Sequence, residues 1–291
     1  MKIAIAIATA GRRAGLSDTL GYLRQQTRMA DSLYLCPAAS TDLDLDALTD
    51  YPCPSKVVQG ERGLPAQRNA ILRALGDEDI VVFFDDDYLP EPGFLAELET
   101  LFARHPDLVI ATGHVLADGA QGPGILYDDA VRLIQALPPL TTDRLETTFG
   151  GYGCNMAVRV CVMREARVEF DERLPLYAWW EDIDFSRRLA PFGQIKQSFR
   201  LRGVHLGSKT GRSPGKRLGY SQVANLLYMV KKGSIPRGVA YGQISKHLVA
   251  NLVKSLRPEP WVDRPGRVAG NFLALTDALR GVVDPGKILK L

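Results

Sequence analysis

Residues 80–84, Ile-Val-Val-Phe-Phe, form an unbroken apolar run that ends abruptly at Asp85-Asp86-Asp87. An apolar run of this kind is expected of a strand buried on both faces, and such strands lie in parallel sheets covered by helices. The flanking segments fit the same scheme. Strand-like residues 1–8, 32–36 and 56–59 alternate with helix-like residues 16–28, 43–49 and 63–75, the last stopped by Gly76-Asp77. After the aspartates, Pro90 and Pro92 introduce a helix over 93–104, proline suiting a first turn. A strand over 108–112 follows. The first 110 residues therefore read as an α/β layer fold with a mostly parallel sheet flanked by helices.

Beyond that point the pattern loosens and then changes. Gly119, Gly122, Pro123 and Gly124 predict a mobile loop, followed by a short helix over 127–137. Strands are expected at 155–159 and 194–199, with a helix over 181–190 opened by acidic residues. From Lys216 onward Leu226, Leu227 and Val230, then Ile244, Leu248, Leu252 and Leu256, recur at three- and four-residue spacing, the helical period. A boundary is expected between Arg200 and Lys216, dividing the chain into residues 1–210 and a helical region, 211–291. Charge divides in the same place. Residues 201–291 hold 16 Lys and Arg against 4 Asp and Glu, whereas the first 200 hold 20 against 29. A basic third on an acidic body points to an anionic partner: a diphosphate, a nucleic acid or an anionic lipid surface.

Composition closes off other classes. At 291 residues, with 46% hydrophobic and 24% charged residues, the chain is neither disordered, collagen-like nor coiled coil. No uninterrupted run of about 18 apolar residues exists, so no transmembrane helix is expected. Lys2 before an apolar stretch, with Ala8-Thr9-Ala10, imitates a signal peptide. The stretch is short and alternates Ile with Ala, which reads better as a strand. Four cysteines without a CxxC pair suit neither a disulfide framework nor a thiolate zinc site, and a reducing cytosol is the expected setting.

Four segments carry chemistry. In Asp85-Asp86-Asp87, carboxylates at i and i+2 just past a strand can face a divalent cation and a ribose together, and hard oxygen ligands suit Mg2+ or Mn2+. Taken alone, the same triplet also fits an acidic turn. In Trp179-Trp180-Glu181-Asp182-Ile183-Asp184, acids open a helix beside two indoles. A carboxylate there is partly desolvated, which raises its pKa and suits it to accept a proton; first-turn acids stabilised by the helix dipole are the plainer reading. His205 precedes a Gly- and Lys-rich loop with Lys209, Arg212 and Lys216, an imidazole that can complete a metal shell and a loop that can close over a diphosphate. Gly63-Leu64-Pro65-Ala66-Gln67-Arg68-Asn69 puts Arg68 and Asn69 on the first turns of a helix, able to contact a nucleotide and equally readable as a surface helix start.

Together these segments, in this order, resemble the inverting glycosyltransferases of family 2, with the Rossmann-like GT-A fold. The likeness covers residues 1 to about 210. It rests on Ala8-Thr9-Ala10-Gly11-Arg12, GLPAQRN, FFDDDYLP around Asp85, GGYGCNMAVR from Gly150, WWEDIDFSRR from Trp179 and VHLG from Val204. The basic tail resembles, less specifically, bacterial enzymes that assemble exopolysaccharide or capsule. The resemblance implies a nucleotide-sugar donor and a glycan or lipid-linked acceptor. It implies that Thr9, Gly11, Arg12 and Arg68 line the nucleotide pocket, that Asp85 meets the ribose with Asp86 beside it, and that Lys209 and Arg212 serve the diphosphate. Asp87 would bind Mn2+ or Mg2+, with His205 as a second ligand. Asp182 would be the general base, Glu181 the alternate. Gly150, Gly151, Gly153 and Asn155, with Trp179 and Trp180, would shape the donor-sugar and acceptor region.

The segment after the second strand, residues 36–42, lacks the Asp that this family often carries there, leaving Asp42 to substitute from the loop. A sugar-phosphate nucleotidyltransferase is the nearest alternative, with only a partial match at Thr9 to Gly15. A nucleic-acid-binding or non-catalytic nucleotide-binding protein is the more distant one, and no recognised nucleic-acid motif supports it. Residues 235–257 mix Leu, Val and Ile with basic residues, which is compatible with a helix at the inner face of the cell membrane and equally with packing on the body or in a homodimer.

Overall fold

The computed structural model describes residues 1–211 and 213–291; Arg212 lies outside the described residues. The strands are β1 (Ile3–Thr9), β2 (Ser32–Pro37), β3 (Ser55–Val57), β4 (Ile80–Asp85), β5 (Tyr88–Pro90), β6 (Leu108–Asp118), β7 (Leu145–Thr147), β8 (Asn155–Arg159) and β9 (Gln194–His205). They form one sheet in the order β3-β2-β1-β4-β8-β6-β9-β5, with β7 also on β9. Pairing is parallel from β3 through β4, antiparallel on both sides of β8, and parallel again between β6 and β9. Helices α1 (Arg13–Leu23), α2 (Leu64–Ala74), α3 (Phe94–Arg104), α4 (Tyr127–Gln135), α5 (Val160–Ala166) and α6 (Glu181–Leu189) accompany the sheet, and α7 (Gly215–Lys232), α8 (Arg237–Ser255) and α9 (Arg264–Leu279) follow it.

The Ile/Ala alternation of β1 sets the two layers. Ile3, Ile5 and Ile7 face one side and pack with Leu16 and Leu20 of α1 and Leu95 and Leu98 of α3. Ala4 and Ala6 face the other and receive Ile71 and Leu72 of α2, small residues there giving that helix room. Each fully buried Ile or Leu contributes roughly 1.5–3 kcal/mol through removal from water. A third apolar cluster joins Leu174, Ala178 and Trp180 to Tyr220, Val223 and Leu226 of α7 and Ala274 of α9. The C-terminal helices thus pack directly on the segment that leads into α6.

Several expectations need correction. β6 and β9 run on to Asp118 and His205 rather than stopping at Thr112 and Phe199. Gly113 permits this: at the register shift after it, a Cβ would sit 2.4 Å from the Leu201 carbonyl oxygen. The basic residues beyond Phe199 are satisfied sideways, Arg200 by Glu97 and Arg202 by Glu91. β5, β7 and α5 are too short to leave a periodic signal. The helix expected over 43–49 is a pair of 3-10 turns, Ser40–Asp42 and Leu45–Leu48. The glycine loop after Asp118 is pinned, with the Ile125 amide donating to the Leu206 carbonyl at 2.8 Å.

Candidate active site

β1 and β4 are parallel neighbours, so Thr9 and Asp85 emerge together at their C-terminal ends, where open α/β sheets bind ligands. The chain then turns through Asp86 and Asp87 into β5, whose antiparallel pairing sets Tyr88 opposite His205 of β9. This pairing is what carries a residue more than a hundred positions downstream to the aspartates.

The three aspartates have different surroundings. Asp85 is half-buried and accepts from Arg68 Nη2 at 3.2 Å. Asp86 points inward, accepting from Thr9 Oγ1 at 2.6 Å and Arg12 Nη1 at 2.7 Å. Burial lifts its pKa despite the guanidinium. Asp87 is buried as well, but its Oδ2 takes the Ser208 amide at 2.7 Å and lies 3.4 Å from Arg12. Burial works against its charge, yet His205, Arg12 and that amide outweigh it and hold the carboxyl below its ordinary value.

His205 completes the cluster. Its Nε2 lies 3.3 Å from Asp87 Oδ1 and 3.8 Å from Asp85 Oδ2, and its Nδ1 is 2.9 Å from Asp118 Oδ1. Burial disfavours the imidazolium, but Asp118 and Asp87 overcome this and raise its pKa to about 10. Asp85, Asp87 and His205 each offer a ligand atom, all within 4.8 Å of one another. Two features fit a divalent cation. Asp87 Oδ1 is buried without a well-formed hydrogen bond. A bound cation would take the place of the Nε2 proton of His205, leaving its Nδ1 proton on Asp118, the usual arrangement behind a metal-binding histidine. An O, O, N donor set suits Mn2+ or Mg2+.

A second acidic pair stands at the start of α6. Glu181 is buried and accepts from Arg68 Nη1 at 2.6 Å, while its Oε2 has no hydrogen-bond partner among the described residues. Burial, against the pull of Arg68, raises its pKa to about 8. Asp182 keeps an edge to solvent and accepts the amides of Gly153 at 2.9 Å and Ile183 at 2.8 Å. Crowding by protein atoms raises its pKa, with the amides opposing. Arg68 connects the two clusters: 2% exposed, it binds Asp85, Glu181 and the Gly153 carbonyl at once.

The segment before α6 has an unusual backbone. Leu176, Ala178 and Trp180 all have positive φ, at 60°, 52° and 72°. It is tied down from both sides: the Leu64 amide donates to Leu176 O at 2.8 Å, and Asn225 Nδ2 of α7 donates to Trp179 O at 3.0 Å.

The remaining expected residues fall in different places. Gly11 carries the β1–α1 loop at φ 69°, and Arg12 reaches from it to Thr210 O at 2.8 Å, so the 208–211 loop lies against the C-terminal end of β1. Lys209 turns toward the pinned loop, donating to Gly119 O at 2.8 Å. Arg212 is outside the described residues. The Gly151 amide donates to Ser186 Oγ at 3.0 Å, which ties the 150–153 strip to α6. Asn155, expected by resemblance in the donor-sugar and acceptor region, is fully buried and bound to Thr112, Gly113 and Tyr88, so it fastens β6, β8 and β5 together. Trp180 packs into the helical cluster, and Trp179 meets His247 edge-on at 5.3 Å, so both indoles serve the junction with the C-terminal helices. Sequence reasoning missed Asp118, Tyr152, Ser208 and Asn225. Tyr152, flanked by glycines and donating to Asp118 at 3.0 Å, had the most visible signal.

A model of the family described as Glycosyl transferase family 2 matches residues 4–165. No curated protein is a significant match to the sequence. Among solved structures, residues 1–349 of TarS from S. aureus align with TM-score 0.60 at 15% identity, over 97% of this chain and 83% of that one. The mannosyltransferase PcManGT from Pyrobaculum calidifontis, in complex with GDP-Man and Mn2+, aligns with TM-score 0.59 at 16% identity, over 99% and 78%. The same TarS fragment in complex with UDP-GlcNAc aligns with TM-score 0.53 at 14% identity, over 97% and 84%.

Proposed function

The chain belongs to glycosyl transferase family 2, and we propose that it is an inverting enzyme moving a sugar from a nucleoside-diphosphate donor to a hydroxyl of a glycan or lipid-linked acceptor in bacterial surface polysaccharide synthesis. Its fold is the GT-A arrangement of a mixed α/β sheet with helices following it. One observation carries the reading. Asp85, Asp87 and His205 gather ligand atoms at the strand ends, and Arg68 joins that cluster to a partly solvent-accessible Asp182 held by two backbone amides.

Thr9, Gly11 and Arg12 at the end of β1 receive the nucleotide, and Arg12 with the 208–211 loop faces the diphosphate. Asp85, Asp87 and His205 would hold Mn2+ or Mg2+, which would supply positive charge to offset the negative charge of the leaving diphosphate. Asp182 takes the proton of the acceptor hydroxyl as its oxygen attacks the anomeric carbon, and the bond from that carbon to the diphosphate oxygen breaks. One displacement inverts the centre. Glu181 is the weaker candidate for base, because it is buried and one of its oxygens already belongs to Arg68. Residues 1–210 carry this chemistry, and residues 211–291 brace the catalytic segment through α7. Four free cysteines support a cytoplasmic setting. Among the described residues no helix is long and apolar enough to cross a membrane.

GDP-Man and UDP-GlcNAc, the donors in the complexes of the neighbouring folds, are the first two to try. The test is nucleotide release from a panel of UDP-, GDP-, dTDP-, ADP- and CMP-sugars with and without Mn2+ or Mg2+. Metal-dependent release from one donor, lost in Asp87→Ala, supports the proposal. No release and no nucleotide-induced thermal shift with any donor removes it.

A further inference from the structure

Among the described residues, nothing covers the outer face of α8. Its inner face is fixed by Ala240 and Ile244 in the helical core and by buried Asn251, which donates to Gln222 of α7 at 2.8 Å and to Asn271 of α9 at 2.9 Å and accepts from Arg264 Nη1 at 2.9 Å. A saturated buried polar network of this kind sets the rotation of a helix about its axis. The rotation it sets turns Val249, Leu252, Val253 and Leu256 outward as one stripe at helical spacing, up to 83% exposed at Leu256, with Tyr241 on the same side nearer the start of the helix at 53%. Trp261, just beyond the helix, is exposed too. Single exposed apolar residues are ordinary, whereas a contiguous stripe marks an interaction surface.

Charge identifies the occupant. Between residues 234 and 257 there are four basic residues, Arg237, Lys246, Lys254 and Arg257, and no Asp or Glu. All four are exposed, and among the described residues only Lys254 has an acidic partner, Glu259. A second copy of this chain docked face to face would set two acid-free cationic helices against each other, a repulsive arrangement for a two-fold interface. An anionic bilayer surface satisfies both features: the apolar stripe enters the headgroup boundary and the cations meet lipid phosphates. Tyr241 and Trp261 have the amphipathic rings that suit that depth.

We propose that α8 and the adjoining Trp261 form a peripheral docking surface for an anionic lipid membrane. The surface stands on its own geometry and does not depend on the transfer reaction. The experiment is flotation of the full chain with vesicles of phosphatidylglycerol and phosphatidylcholine in equal parts, against pure phosphatidylcholine, at low and high salt. The expected result is flotation with the anionic vesicles only, weakened by salt and reduced roughly tenfold or more in Leu252→Asp/Leu256→Asp. Unchanged thermal melting and unchanged donor hydrolysis in that variant separate lost docking from lost fold or lost chemistry. Absence of flotation at low salt overturns the proposal. So does equal flotation of the variant, and so does a concentration-dependent dimer that the variant converts to monomer while no vesicle binds.

Discussion

The two acidic clusters of the site are built by opposite means. Asp85 and Asp87 stand at the end of a buried strand beside Arg68, Arg12, His205 and the Ser208 amide, and the balance pulls Asp87 toward ionisation. Glu181 and Asp182 stand at the start of a helix reached through a left-handed loop, and burial pushes both toward protonation. The first arrangement keeps a permanent negative charge ready for a cation, and the second keeps a carboxyl ready to gain a proton. The same residue type is tuned for two tasks by its neighbours.

Substitutions that abolish one cluster without the other test this division. Asp87→Ala is expected to reduce transfer most, below detection in a steady-state assay, with melting of the fold preserved. Asp182→Asn is expected to lose about 10²- to 10⁴-fold in kcat, the usual contribution of a positioned base, with donor affinity retained in nucleotide titration. Retained turnover there would pass the role of base to Glu181. Arg68→Leu strikes the connection itself and leaves Glu181 buried without its cation. It should lower stability by about 3–5 kcal/mol in denaturant unfolding, and adding Glu181→Gln should restore part of that.

The pH dependence sharpens the comparison further. Asp182 acts only when deprotonated, and burial raises its pKa. Activity should therefore fall as pH drops through a value above the ordinary aspartate range, with that limb of the kcat/KM profile absent from the residual activity of Asp182→Asn. The smallest effect is expected from Asn225→Ala. It removes one hydrogen bond to the Trp179 carbonyl, worth about 1–3 kcal/mol when the buried acceptor is left unpaired, and should lower kcat more than it raises KM.

The sequence made the first cluster legible and the second only in outline. The run 80–84 and the strand 155–159 carry enough local apolar character to be placed to within a residue, and the aspartates follow from the first of them. His205 was legible as a residue but not its partner, because Asp118 reaches it only through the parallel extension of β6 and β9 past a glycine bulge. Arg68 was read as a nucleotide contact from its place on a helix start. Its burial between Glu181 and Asp85 depends on folding together three segments far apart in the chain. Only the resemblance places Asn155 near the sugar; a polar side chain in an apolar strand must be bonded to something, and here its partners are the neighbouring strands.

The left-handed residues before α6 bear on how this protein can be improved. Non-glycine residues in that conformation are disfavoured by on the order of 1–3 kcal/mol each, and Leu176, Ala178 and Trp180 sit in alternate positions of one short loop. Ala178→Gly relieves the backbone at one of them and gives the loop freedom to leave the geometry that aims Asp182. A selection for thermal robustness alone would favour easing this loop, and a selection for turnover would keep it tense.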